Sequence, residues 1–228
     1  MRFEVALMIT LAAGSAGLAK ERNKTALRLD DAADVMKEIM DTSDKGIPQD
    51  LLNKAQCIII VPGLKKGAFI VGGKYGKGFV NCRKESGEGW TSPAAIRVEG
   101  GSVGFQIGGS ETDVVMLVMN ERGMKKLLTS KFTLGGEGEV AAGPVGRDAA
   151  AQTDAFMHAE MLSWSRSRGV FAGISLQGAT LREDLDDNRE MYGKEYENAD
   201  ILKGTLPLPE PAQKLNSLLD KYSPKRVS

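Results

Sequence analysis

This 228-residue chain has few of the residues from which most catalytic sites are assembled. It holds one histidine, His158, and two cysteines, Cys57 and Cys82. A nucleophilic triad needs a base and an orienting group beside the nucleophile, and no Gly-x-Ser-x-Gly elbow is present. His158 is therefore read as a surface or structural residue ahead of a strand. Two cysteines and one histidine also lack the spacing of a structural zinc site. Charge of one sign is missing as well. Thirty Lys and Arg balance thirty Asp and Glu, so no global field selects nucleic acid or an acidic substrate. The one extended apolar run, residues 5–18, falls short of the roughly 20 residues a transmembrane helix needs. No repeat of about 20–50 residues stands out.

What the chain has in quantity is glycine, 27 in all, clustered between residues 63 and 178. There they break apolar runs into short pieces, which favours strands and tight turns over a helical bundle. Ahead of them, Leu29, Ala32, Ala33, Val35, Met36, Ile39 and Met40 make one stripe of a helix over 25–41, with a mostly acidic opposite face. A short second helix starts at Pro48. Strands are expected at 57–61, 67–71, 79–83, 94–98, 102–107 and 114–119, with 72–78 as a turn and a meander as the simplest connection. Asn120 caps a short helix to Thr129. A strand is expected near 139–142, and segments 160–166 and 170–177 read as a hairpin. In the latter, Val170, Ala172, Ile174 and Leu176 fall on one face. Residues 182–191 read as a helix. A Pro-rich linker over 206–211 precedes a helix over 212–222 that carries Leu215, Leu218 and Leu219 on one side. The fold class is α+β: a glycine-rich antiparallel sheet or barrel-like core with flanking helices.

The N-terminus reads as an export signal. Arg2 supplies a positive start, and residues 17–19 resemble a small-x-small cleavage site before Lys20. The competing reading is a buried or frayed helix. Three segments follow: residues 1–19 as signal peptide, 20–204 as the functional domain, and 205–228 as linker and C-terminal helix. The location implied is periplasmic or secreted. There Cys57 and Cys82 could form a disulfide, or they could be two small buried apolar residues.

Two local patterns invite ligands. Asp184, Asp186, Asn188 and Glu195 overlap an EF-hand ligand spacing, but Arg189 occupies the position that wants glycine. An acidic helix start explains the carboxylates better. No metal or cofactor is expected. The glycines of 72–78 match neither nucleotide-binding glycine pattern. The more credible surface is basic. Between residues 57 and 84 the chain carries Lys65, Lys66, Lys74, Lys77, Arg83 and Lys84 and no acid. Tyr75 adds an amphipathic ring, with Phe69 as further apolar contact. Such a patch suits anionic phospholipid, each lysine near the bilayer contributing about 1 kcal/mol. It equally suits an edge kept soluble by lysines.

Several stretches taken together resemble the SYLF-domain family. They are residues 62–78 (PGLKKGAFIVGGKYGKG), 89–93 (GWTSP), 100–108 (GGSVGFQIG), 113–120 (DVVMLVMN), 140–147 (VAAGPVGR) and 163–178 (SWSRSRGVFAGISLQG), running on to Asn188, Tyr192 and Gly193. Their order spans about residues 25–203, and the chain is similar to an exported bacterial branch of that family. The resemblance implies a non-enzymatic domain that binds phosphoinositides or other anionic lipids, with actin-binding relatives. It therefore also implies a possible protein partner. In the family, lipid binding is linked to a basic amphipathic N-terminal helix. Residues 27–41 here are predominantly acidic and depart from that pattern. An envelope phospholipid is the more natural ligand for an exported protein.

Overall fold

The computed structural model describes residues 23–42, 46–68, 71–103, 108–137, 139–145, 159–167, 170–174 and 176–227. The export segment, His158 and Phe69 lie outside them.

Helix α1 (Lys24–Asp41) begins where the Asn23 side chain accepts from the Ala26 N–H, and it buries the expected stripe from Leu29 to Ile39, with Met40 partly buried. Helix α2 (Gln49–Lys54) follows Pro48. Four long strands come next: β1 (Cys57–Ala68), β2 (Val71–Cys82), β3 (Ala94–Val103) and β4 (Gly108–Val118). Helix α3 (Glu121–Leu127), β5 (Lys131–Thr133), β6 (Val140–Ala142), β7 (Met161–Ser167), β8 (Val170–Gly173) and β9 (Thr180–Glu183) complete the sheet region. Helices α4 (Leu185–Tyr192), α5 (Asn198–Ile201) and α6 (Gln213–Tyr222) close the chain, with a 3-10 turn (Glu210–Ala212) entering α6.

The strands form one curled, mixed sheet shaped as a half-barrel, in the order β5-β9-β3-β2-β1-β4-β7-β6, with β8 paired to β7. The class is α+β, as expected. Strand β1 sits centrally because residues 57–61 are apolar on both faces and must be covered on both. Ile58 and Ile60 face one core with α1, α2 and α6, while Cys57, Ile59 and Val61 face a second, inside the curl.

The connections differ from a simple meander. Strands β1, β2 and β3 follow one another, but β4 returns to pair with β1. The pieces expected as separate short strands also merge. Residues 57–61 and 67–68 belong to one strand, and the expected turn at 72–78 is the first half of β2. Gly76 and Gly78 there serve close approach rather than chain reversal. A Cβ on Gly78 would lie 2.1 Å from the Ile60 carbonyl oxygen. Strand β1 passes Pro62 and Gly63 through a bulge, where Gly63 takes φ +59° and donates its N–H to Asp113 Oδ1 at 2.9 Å. Of the segment expected over 170–177, strand β8 covers Val170–Gly173, and Val170 is exposed. Cys57 and Cys82 are register partners across β1–β2 and are joined as a disulfide. Helix α6 is no loose appendage: Leu215 and Leu219 are buried in the same core as α1. No described helix is long and apolar enough to cross a membrane.

Candidate functional site

The outer half of the β1–β2 hairpin carries the basic residues in a defined register. Lys65 pairs with Tyr75, and Lys66 with Lys74. Residues directly opposite share a face of the sheet, so the cations divide. Lys65 and Tyr75 lie on the α1 side, continuing toward Phe79. Lys66 and Lys74 lie on the side of Leu64 and Val80, at the open end of the curl. Lys65 is exposed, Tyr75 is 49% exposed, and Lys66 and Lys74 are half-buried. Two lysines directly opposite one another repel. Burial, and then the Lys74 charge, pushes the Lys66 ammonium below its ordinary pKa. A bound anion would relieve that repulsion.

Two of the expected contacts are occupied elsewhere. Lys77 turns to the body of the domain, where its Nζ lies 2.7 Å from Asp184 Oδ2 and 2.9 Å from Asp187 Oδ1. Arg28 of α1 joins the same cluster through Asp187, and Thr25 donates to Glu190. This network ties α1, β2 and α4 together. Arg83 lies at the far end of the hairpin, roughly 30 Å along β2 from Lys74. It is 8% exposed, stacks 3.8 Å from the Trp90 ring centroid, and donates to the Ser223 carbonyl (2.6 Å) and the Leu52 carbonyl (3.3 Å). Its role is to hold the C-terminal segment. The lysines that remain at the hairpin are thus Lys65, Lys66 and Lys74, with Tyr75 beside them.

The residues with calcium-like spacing are spent on structure. Asp184 caps α4 through the Asp187 N–H. Asn188 is fully buried, accepts from the Ala95 N–H at 2.7 Å and donates to the Tyr196 carbonyl. Arg189 pairs with both Asp186 and Glu195. Among the described residues no group of three or more His, Cys, Asp or Glu side chains is placed to hold a metal ion.

Two further concavities had no local signature in the sequence. A groove of about 880 Å³ runs between α1 and the β1 bulge, with Asp31, Glu38, Glu111 and Asp113 among its walls. Arg166 crosses it, pairing with Asp113 at 2.6 Å and with Glu38. Its carboxylates make it unsuited to anionic head groups. A smaller cavity lies at the Cys82–Arg83 end of the hairpin and draws on residues more than 100 positions apart. Neither could be assembled from spacing along the chain.

Comparison of the sequence with known proteins gives its family. Residues 99–222, more than half of the chain, match the model of the family described as "Las17-binding protein actin regulator". The chain is 35% identical over 201 residues to SH3 domain-containing YSC84-like protein 1 of Xenopus laevis, covering 85% of this chain and 59% of that protein. The human protein of the same name is 34% identical over 200 residues, covering 85% and 58%. Protein YSC84 of Saccharomyces cerevisiae is 33% identical over 183 residues, covering 78% of this chain and 38% of the yeast protein. The chain therefore spans less than two thirds of the length of these relatives.

Proposed function

We propose, from the premise that the chain belongs to the Las17-binding protein actin regulator family, that it is a non-enzymatic module docking on anionic phospholipid. The contact surface is the outer β1–β2 hairpin: Lys65, Lys66 and Lys74 meet head groups, and the half-exposed Tyr75 ring sits at the apolar boundary. The observation that carries this reading is the Lys66–Lys74 pair, two half-buried cations directly opposed on one face. Such a pair costs stability in the free protein, and a phosphate between the ammonium groups offsets that cost. The apolar run at 5–18 and the Cys57–Cys82 disulfide support an exported, oxidising setting, with an envelope phospholipid as the ligand.

Vesicle co-sedimentation tests the proposal. Protein starting at Lys20 pellets with anionic vesicles, not with zwitterionic ones, and added salt releases it. Three lysines at about 1 kcal/mol each amount to roughly a hundredfold in partitioning. Reversing two of them in Lys65→Glu/Lys66→Glu removes most of it. If that variant pellets as well as the wild type, the hairpin is not the contact surface.

A second reading has one specific support. The family description names Las17 binding, and so points to protein partners. On this reading the same hairpin, or the acidic α1 groove, docks a protein. Its signature is a partner retained from delipidated extract.

A further inference from the structure

The cavity at the Cys82–Arg83 end of the hairpin has a chemistry of its own. It encloses about 320 Å³, at the small end of ligand sites. Met124, Leu128, Ala199 and Leu202 supply apolar wall. Arg83, Lys84, Lys203 and Arg226 supply four cations, against Glu85 as the one acid among the lining residues. Lys203 is partly answered by Asp200, 2.7 Å away. The two arginines are not answered in the same way. With its amide turned so that the oxygen faces Arg226, Gln56 offers it a neutral carbonyl that accepts at 2.8 and 3.2 Å. Arg83 is nine-tenths buried; its terminal nitrogens donate to the neutral Ser223 and Leu52 carbonyls, and among the described residues nothing accepts from its Nε. Burial, and then the nearby Arg226 charge, pushes the Arg83 pKa down to about 10. Two like charges thus lie close together beside the apolar wall of the cavity.

We infer that this cavity binds a single-chain anionic amphiphile, with its carboxylate or phosphate head on Arg226, beside the buried Arg83 charge, and its chain against Met124, Leu128 and Leu202. Guanidinium groups match such oxygens in a fork geometry that a lone ammonium does not provide. The volume is too small for two acyl chains. Leu128, 36% exposed, marks the apolar side of the opening. The site lies at the opposite end of β2 from Lys66 and Lys74, so it is independent of the hairpin surface and does not rest on it.

Titration calorimetry below the micelle concentration tests this with decanoate and decyl phosphate as probes, and decanol and inorganic phosphate as controls. Both amphiphiles bind, and each control is at least tenfold weaker. Across hexanoate, octanoate and decanoate the affinity rises about fourfold per methylene until the cavity is filled. Arg226→Ala weakens decanoate at least tenfold, and Leu128→Trp blocks the opening. Lys65→Glu/Lys66→Glu leaves decanoate binding unchanged, which separates this site from the vesicle-binding surface. Leu128 is a partly exposed rim position, so the tryptophan variant remains informative if Arg226→Ala folds poorly. Inorganic phosphate binding as tightly as decyl phosphate would overturn the inference, since the site would then be a simple anion site. Decanol binding as tightly as decanoate would overturn it too, as would a Leu128→Trp protein that binds decanoate like the wild type.

Discussion

Lys77 separates the structural cations of this domain from the surface ones, and Lys77→Met is the variant that shows it. The Lys77 ammonium faces two carboxylates, Asp184 at 1% and Asp187 at 9% side-chain exposure, while Lys77 itself is 24% exposed. Removing one partner of a fully buried pair costs about 3–5 kcal/mol, because a charge is left without a counter-ion. Here Lys77 keeps some water, which weakens the pair, and Asp187 keeps Arg28. Asp184 keeps only its capping hydrogen bond from the Asp187 N–H and, among the described residues, has no counter-ion left. A loss of about 2–3 kcal/mol is therefore expected, or about 4–12 °C in Tm for a chain of this size. Burial works against the Lys77 charge, but hydrogen bonds to Asp184 and Asp187 outweigh it and raise its pKa. A lysine whose folded pKa is raised stabilises fully below its unfolded value of about 10.4, and loses that contribution as pH rises through the folded value. The difference between wild type and Lys77→Met should therefore be constant from pH 6 to 9 and shrink only in strong alkali. Urea unfolding followed by tryptophan fluorescence measures it. The double variant Lys77→Met/Asp184→Asn keeps the α4 cap and should recover part of the loss, a non-additivity expected of groups in contact. Anionic-vesicle binding should survive in folded Lys77→Met. Unchanged stability together with lost vesicle binding would refute the reasoning, since Lys77 would then be a head-group ligand rather than a structural ion.

Three further outcomes are expected from the packing and ion pairs described above. Gly78→Ala forces a methyl against the Ile60 carbonyl and Val61 backbone, so a loss of about 1–3 kcal/mol in chemical denaturation is expected, although the residue lies in an extended strand. Reducing the Cys57–Cys82 disulfide, which spans 25 residues, should lower stability by about 3 kcal/mol, seen as a lower urea midpoint with dithiothreitol. Burial of Glu160 is outweighed by hydrogen bonds from Lys126 (2.5 Å) and the Glu139 N–H (3.0 Å), which hold its carboxyl below the ordinary range. Glu160→Gln should thus cost about 1 kcal/mol at pH 7, and the cost should fade as pH drops below about 4, where the wild-type carboxylate takes up its proton.

Along the chain, local chemistry was sufficient wherever one element's own periodicity decides its burial. The α1 stripe from Leu29 to Ile39 is legible because a helix repeats every 3.6 residues, and the unbroken apolar run at 57–61 marks a strand covered on both faces. The Asn120 cap and the acidic start of α4 are likewise statements about one turn of backbone, and the α+β class follows from such pieces. Residues 72–78 read as a turn along the chain because sequence records only that a side chain is missing. That the reason is the Ile60 backbone pressing on Gly78 is visible only once β1 and β2 are paired. The same limit applied to the basic residues. Lys65, Lys66, Lys74, Lys77 and Arg83 look alike along the chain, yet strand alternation and register send Lys77 to Asp184 and Asp187, Arg83 to Trp90 and the Ser223 carbonyl, and leave only the outer three at the hairpin surface. Charge is a property of the residue. Whether it is free to meet a ligand depends on partners brought from more than 100 positions away, and tertiary packing alone supplies those.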